Sequence, residues 1–248
     1  MTTLFTRSGA ILVCALLLAP VSFAQDAPIT QTAETQAALT PAEALQMLKD
    51  GNERFRTGNA FERDYSAQKA ITSGGQYPYA AVITCLDSRI PVEVVFDQGI
   101  GDIFVGRVAG NFVDTEMLGS LEFATAAAGA KVIVVMGHTE CGAVKGACDN
   151  VELGNLTTTL SHIMPAVYMT TDVEGERASS NPEFVQKVAD HNVDLNVENI
   201  VQRSEVIEGL VEEGKVLVIG AMYDISNGMV TFHDAKMIDA EDMAAVVE

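Results

Sequence analysis

The sequence predicts an α/β fold in which a mostly parallel β-sheet is covered by helices on both faces. Four short runs are apolar throughout, at residues 79–84, 103–105, 132–136 and 216–219. Stretches with helical spacing separate these runs, most clearly residues 116–128 and 197–213. Strands that are apolar on both sides and alternate with helices are typical of a parallel sheet buried between two helical layers.

The two ends of this pattern have their own signals. Thr40-Pro41-Ala42-Glu43 is a capping box with proline at the first helical position, and it predicts an N-terminal helical extension that ends at Gly58-Asn59. The last apolar run, residues 229–232, follows Asn227-Gly228. Because this dipeptide favours tight turns, we expect the last run to pair antiparallel with the strand before it.

Length and charge limit the possible functions. The chain has 248 residues, of which 15 are basic and 34 acidic, and its formal net charge is −19. This length suits one α/β domain with appendages. Because a charge of this sign repels phosphates, we expect neither a nucleic-acid partner nor attraction to an anionic membrane.

The first residues have the pattern of an export signal. Arg7 precedes an apolar run over residues 10–19, and Ser22-Phe23-Ala24 follows in small-x-small form. We predict a secretory signal peptide at residues 1–24, a flexible linker at 25–39 and a catalytic domain at 40–248. The apolar run is too short for a stable membrane anchor. The expected location is therefore periplasmic or secreted.

The cysteine count argues against a disulfide framework. Removal of the signal peptide would remove Cys14 and leave Cys85, Cys141 and Cys148. Three is an odd number, whereas disulfide-stabilised domains use even sets of closely spaced cysteines. We therefore expect a metal to hold two of the three thiols, and we expect Cys148 to face the core.

Metal-binding side chains follow two of the predicted strands. Cys85 begins the segment Cys-Leu-Asp-Ser-Arg after the first strand, and His138 and Cys141 lie in the segment after the run 132–136. Ligands of open α/β sheets bind at the carboxyl ends of the strands. Since Cys85, His138 and Cys141 supply three of the four ligands that zinc requires, we predict a catalytic Zn²⁺ site with one open position.

Asp87 and Arg89 are candidates for control of that open position. A free carboxylate beside zinc would become the fourth ligand, whereas a bidentate arginine can hold it away from the metal. We therefore predict a gate in which Asp87 is either held by Arg89 or bound to the metal. The simpler alternative is a structural ion pair.

These motifs resemble those of the β-class carbonic anhydrase family, which carries Cys-x-Asp-x-Arg followed after roughly fifty residues by His-x-x-Cys-Gly. Segments 51–55, 107–111 and 220–224 are also similar to family segments, so the resemblance covers about residues 40–235. One departure is Val108, where many members carry asparagine. The chain also has no Trp, which some members use in a non-catalytic bicarbonate pocket.

The resemblance implies an enzyme that reversibly hydrates CO2 to bicarbonate and a proton, through attack by zinc-bound hydroxide. It assigns Cys85, His138 and Cys141 as zinc ligands and Asp87 with Arg89 as the catalytic gate, with Asp87 as a fourth ligand in the closed state. It also implies a homodimer or a larger even homo-oligomer. No remaining histidine is assigned as a proton shuttle.

Two other functions fit parts of the sequence. Relatives on the same fold hydrolyse carbon disulfide or carbonyl sulfide, and pocket access would distinguish them from carbonic anhydrases. A zinc-binding or thiol-redox protein, with a reversible disulfide between Cys85 and Cys141, is an alternative of another class. That alternative does not require Asp87 and Arg89, and the chain lacks the Cys-x-x-Cys motif of redox proteins.

Overall fold

The computed structural model describes residues 30–233, which form a five-stranded sheet with helices on both sides. The strand order is β2-β1-β3-β4-β5. The first four strands are parallel and the last is antiparallel to its neighbour. The strands are β1 (Ala80–Thr84), β2 (Ile103–Arg107), β3 (Val132–His138), β4 (Leu217–Tyr223) and β5 (Val230–Phe232). The predicted fold class and the antiparallel final strand are confirmed.

Ten α-helices lie in the described part of the chain. They are α1 (Ala33–Ala38), α2 (Pro41–Thr57), α3 (Tyr65–Thr72), α4 (Val92–Val95), α5 (Thr115–Glu122), α6 (Gly142–Cys148), α7 (Asn155–Ser161), α8 (Met164–Met169), α9 (Pro182–Gln202) and α10 (Glu205–Glu212). None of these helices combines the length and the apolar character needed to cross a membrane.

Successive side chains along each strand point to opposite faces of the sheet, and this alternation divides the core into two layers. Ala80 and Val82 of β1 face one buried cluster, while Ala81 and Ile83 face the other. All seven residues of β3 are buried. This central strand therefore has apolar neighbours on both faces, as its sequence predicts.

The helix α2 begins and ends where its sequence signals predict. The Thr40 side chain accepts a hydrogen bond from the Glu43 backbone N–H, and the Glu43 carboxylate bonds back to the Thr40 N–H. Gly58 ends the helix in the left-handed conformation, at φ 72°. The helix packs its buried stripe, which includes Leu45 and Leu48, against the core.

The expectation of a flexible linker up to residue 39 is wrong for residues 33–38, which form α1. Thr32 and Thr35 cap this helix reciprocally. Gln36 is buried, and its Nε2 donates hydrogen bonds of 2.7 Å to the carbonyls of Pro78 and Ala128. These polar contacts fix the segment, and an apolar period could not have indicated them. The predicted signal peptide and residues 25–29 lie outside the described residues.

Two predicted helices differ in detail from the observed ones. The stretch 197–213 is not one helix, because α9 ends at Gln202 and Ser204 caps the start of α10. The stretch 116–128 is α5 followed by a π-helical segment at Phe123–Ala127. In both places the helical spacing of apolar residues continues across the boundary between the two helical segments. The spacing alone therefore does not show where that boundary lies.

Candidate metal centre

The parallel sheet brings the two predicted motifs to one edge. Cys85 follows β1 directly, and the neighbouring strand β3 ends at His138. Cys141 lies just before α6, after a turn in which Glu140 has a φ of 59°. One ligand atom each from Cys85, His138 and Cys141 lies within 4.8 Å of the others. The structure thus brings together the three residues that the sequence predicted as ligands.

The His138 ring is oriented with one nitrogen towards this cluster. Its Nδ1 lies 2.9 Å from the Thr139 carbonyl oxygen. Because a carbonyl can only accept, Nδ1 carries a proton, and in the neutral form of the ring the lone pair is on Nε2. Nε2 is buried and has no hydrogen-bond partner among the described residues.

The two thiols are buried and close together. The sulfur atoms of Cys85 and Cys141 are 3.9 Å apart, and both side chains are almost fully buried. The hydrogen bond from the Cys141 thiol lowers the pKa of Cys85, and this same contact raises the pKa of Cys141. One thiolate therefore forms readily here, while a second negative sulfur needs a cation to offset the repulsion.

Asp87 and Arg89 form a bidentate pair at the rim of the cluster. Arg89 Nε donates to Asp87 Oδ1 at 2.9 Å, and Nη2 donates to Oδ2 at 2.7 Å. The Arg89 backbone N–H also bonds to Oδ1, at 2.9 Å. This guanidinium holds the pKa of Asp87 well below its usual range. The carboxylate is therefore anionic and faces the cluster, with Oδ2 4.0 Å from His138 Nε2.

Arg107 supports the same segment from β2, and the sequence analysis gave it no role beyond a family-like segment. Its Nε donates to the Cys85 carbonyl at 3.1 Å, and Nη2 donates to the Asp87 carbonyl. The guanidinium therefore holds the backbone between the first predicted ligand and the carboxylate. Its place in that segment, as a polar residue at the end of a predicted strand, was the available signal for it.

The loop after β2 contacts Cys85 directly, which the sequence analysis also missed. The Gly110 backbone N–H donates to Cys85 Sγ at 3.3 Å. Two buried side chains of α9, Asn192 and Asn196, bond to this loop at Gly110 and Val113. Their four-residue spacing on one helix face, among valines and leucines, was a sequence signal for buried amides.

The remaining cysteine and histidines make their contacts away from the Cys85, His138 and Cys141 cluster. Cys148 is buried in the core, as predicted, at the end of α6. His162 stacks on the Phe112 ring, with ring centroids 4.1 Å apart. His191 pairs with Thr170 Oγ1 at 2.8 Å, and His233 pairs with Asp194.

The donor set fits a zinc ion. Two sulfur atoms and an imidazole nitrogen are ligands that zinc favours, and a catalytic site keeps a further position open. The orphaned Nε2 of His138 is the strongest sign, because a fully buried ring nitrogen without a partner costs free energy unless something binds it. Within the described residues, no other three side chains of His, Cys, Asp or Glu bring their ligand atoms together in this way.

The chain is similar to known carbonic anhydrases. A family model described as carbonic anhydrase matches residues 80–230. Carbonic anhydrase 2 of Mycobacterium tuberculosis is 34% identical in an alignment of 202 positions, which covers 78% of this chain and 93% of that protein.

Solved structures of β-carbonic anhydrases also resemble this one. The β-carbonic anhydrase CafA of Aspergillus fumigatus superposes with a TM-score of 0.61 at 26% identity, covering 83% of this chain and 95% of CafA. A tetrameric β-carbonic anhydrase of Sordaria macrospora gives a TM-score of 0.57 at 28% identity, covering 65% of this chain and 83% of that one. The residues matched by the family model include both motifs.

Proposed function

Because this chain belongs to the β-class carbonic anhydrase family, we propose that it catalyses the zinc-dependent reversible hydration of CO2 to bicarbonate and a proton. One observation carries the proposal. A buried Cys85, His138 and Cys141 cluster lies beside a carboxylate that a bidentate arginine holds.

Zinc is the metal proposed for this cluster. Cys85 Sγ, His138 Nε2 and Cys141 Sγ would hold it, and the buried Nε2 without a partner supports this assignment. When bound, zinc supplies a nucleophile by lowering the pKa of a water molecule towards neutrality. The hydrogen bond from His138 Nδ1 to the Thr139 carbonyl fixes the ring so that Nε2 keeps facing the two sulfurs.

Asp87 is proposed to orient the nucleophile. Its Oδ2 already accepts one hydrogen bond from Arg89 and retains a lone pair on the side of His138. A carboxylate in this place accepts a hydrogen from the attacking oxygen and directs that oxygen at the CO2 carbon. If Arg89 released it, the same carboxylate would be free to enter the metal site as a fourth ligand and close it.

Stopped-flow measurement of CO2 hydration by the zinc-loaded protein tests this function. We expect rapid hydration that is lost in Cys141→Ser and in Asp87→Ala, measured at several pH values. Cys141→Ser should also lose bound zinc, whereas Asp87→Ala should retain it, because only the cysteine is proposed as a permanent ligand. Cys148→Ser is the matched control, and it should keep both zinc and activity.

No hydration at any pH by protein that binds one zinc per chain would overturn the proposal. In that case the same proteins should be tested with carbon disulfide and carbonyl sulfide, the substrates of the alternative hydrolase. Activity without bound metal would instead contradict the assigned role of the cluster.

We further propose that the enzyme assembles as a homodimer or a larger even homo-oligomer. An apolar groove of about 650 Å³ lies between the sheet-edge strand β2 and α5. Phe104 and Phe123 meet edge to face beside it, and Phe123 is 56% exposed. A sheet edge flanked by an exposed aromatic side chain is suited to contact with a second copy, and the tetrameric relative supports this assignment.

Export remains a proposal that rests on residues 1–24. We propose cleavage after Ala24 and a periplasmic or secreted mature enzyme. Expression of the full chain in a bacterial host, with N-terminal sequencing of the periplasmic fraction, tests it. A product that retains Met1 and stays in the cytoplasm would contradict the proposal.

A further inference from the structure

Two buried asparagines on α9 are linked by hydrogen bonds to the loop that contacts Cys85. Asn192 Nδ2 donates to the Gly110 carbonyl at 2.9 Å. Asn196 Oδ1 accepts from the Val113 backbone N–H at 2.8 Å. The two side chains are also joined, because Asn196 Nδ2 donates to the Asn192 carbonyl at 2.7 Å and lies 3.3 Å from its Oδ1.

Gly110 is the point where this network meets the metal centre. Its N–H donates to Cys85 Sγ while its carbonyl accepts from Asn192. Its φ is 88°, and a Cβ at this position would lie 2.4 Å from Ile163 Cδ1. The loop therefore follows a left-handed path that only glycine fits, and the orientation of the N–H depends on what holds that path.

The amides suit this task because they are rigid and enclosed. Asn192 is 1% exposed and Asn196 is 4% exposed, so water does not compete for their bonds. α9 packs against the central strand β3 and its neighbour β4. A network anchored on this helix therefore fixes the loop relative to His138 at the end of β3.

We propose that Asn192 and Asn196 are positioning residues that act on Cys85 through the Gly110 N–H. A hydrogen bond to a thiolate withdraws electron density from the sulfur and fixes its direction. The network would thereby set both the orientation of Cys85 and the strength with which its sulfur donates to a metal. This inference rests on the proposed metal site.

Cobalt(II) provides a readout that does not depend on activity. We expect Asn192→Leu to lower Co²⁺ affinity about 10- to 100-fold, which is the usual effect of removing a partner that orients a ligand. We also expect its thiolate-to-cobalt absorption to move to longer wavelength, because a sulfur without the Gly110 hydrogen bond transfers charge more easily. Asn196→Leu removes a different contact with the same loop, at Val113, together with its bonds to Asn192, and should change both quantities in the same directions.

Asn199→Leu is the matched control. Asn199 lies on the same helix and is only partly buried, and its side chain has no hydrogen bond among those found in residues 30–233. This variant should bind Co²⁺ with wild-type affinity and the wild-type spectrum.

The unsubstituted protein gives a test that no folding defect can obscure. Loaded with ¹¹³Cd, it should show scalar coupling between cadmium and the Gly110 amide proton through the Cys85 sulfur. Absence of that coupling would overturn the proposal. The proposal would also be overturned if the Asn192→Leu and Asn196→Leu variants were less stable but kept the wild-type cobalt spectrum and affinity. If the wild-type protein bound neither cobalt nor zinc, that result would instead contradict the proposed function itself.

Discussion

Arg89 holds the Asp87 carboxylate by both of its oxygens, at 2.9 Å and 2.7 Å, while Oδ2 remains 4.0 Å from His138 Nε2. The carboxylate thus lies at the rim of the proposed metal site, where the guanidinium and the Arg89 backbone N–H both bond to it. Arg89 is half exposed, whereas Asp87 is mostly buried. In the proposed gate, movement of the Arg89 side chain alone would therefore release Asp87 Oδ2.

Replacement of Arg89 by leucine should free Asp87. We expect kcat/KM for CO2 hydration to fall by about 100-fold or more, since misplaced catalytic groups commonly cost this much. Zinc content should stay at one per chain, because none of the three proposed permanent ligands is changed. Stopped-flow kinetics and metal analysis of the same sample check both expectations. Near-normal activity in this variant would show that Asp87 and Arg89 form only a structural ion pair.

Removal of the metal should expose Cys85 and Cys141 to oxidation. Their sulfurs are 3.9 Å apart, so closing to the disulfide length of about 2.05 Å needs only a small movement. After chelation and exposure to air, we expect a thiol titration to show two fewer thiols, with oxygen accepting the two electrons. The zinc-loaded protein should lose none. An unchanged thiol count in the metal-free protein would show that Cys85 and Cys141 cannot form a disulfide.

Loss of the charge on Asp97 should destabilise the fold strongly. This carboxylate is 3% exposed and bonds to both Arg54 and Arg63, so its removal leaves two guanidinium groups without a counter-charge. We expect Asp97→Asn to lower the free energy of unfolding by about 3–5 kcal/mol. Asparagine tolerates the positive φ of 48° found here, so the backbone conformation should be kept.

An exposed ion pair on α2 is the control for that measurement. Arg56 bonds to Glu53 at 2.8 Å with both side chains largely in solvent. Because solvent screens such pairs, Arg56→Gln should change the free energy of unfolding by no more than about 0.5 kcal/mol. Urea unfolding of the two variants at equal metal loading compares them. Similar effects of both changes would contradict the role given to burial.

Alanine at Gly110 should cost more than alanine at Gly58. Both glycines have positive φ, so each change carries a backbone cost of roughly 1–2 kcal/mol. A Cβ at Gly58 meets no atom within 4 Å, whereas one at Gly110 would overlap Ile163. Overpacking of this kind adds about 1–3 kcal/mol. Equal destabilisation in urea would show that the loop moves to accept the methyl group.

A charge on the β2 edge should disrupt assembly. We expect Phe123→Asp to reduce the sedimenting mass at micromolar concentration, because it places a carboxylate in the apolar groove beside Phe104. Met229→Asp is the control, since Met229 is also exposed but lies beside β5, at the opposite edge of the sheet. If Met229→Asp dissociates the oligomer and Phe123→Asp does not, the proposed interface is on the wrong edge.

Much of the fold could be predicted because its signals are local. The four apolar runs became the four parallel strands, and the capping box at Thr40 began α2 where predicted. The break between α9 and α10 was missed, since Ser204 interrupts a helical pattern that otherwise continues. The helix α1 was missed as well. It is held by buried hydrogen bonds from Gln36 and not by an apolar face, so it has no apolar spacing to predict it.

The sequence by itself determined which residues can bind a metal and which strands carry them, because cysteine and histidine chemistry and strand periodicity are properties of short segments. Only the tertiary structure decided that Gly110, Asn192 and Asn196 lie in one hydrogen-bonded network with Cys85. Asn192 is 82 positions from Gly110, so no local pattern links the two. Packing of α9 against the sheet brings them into contact, and a backbone N–H carries no residue signature that a sequence could reveal.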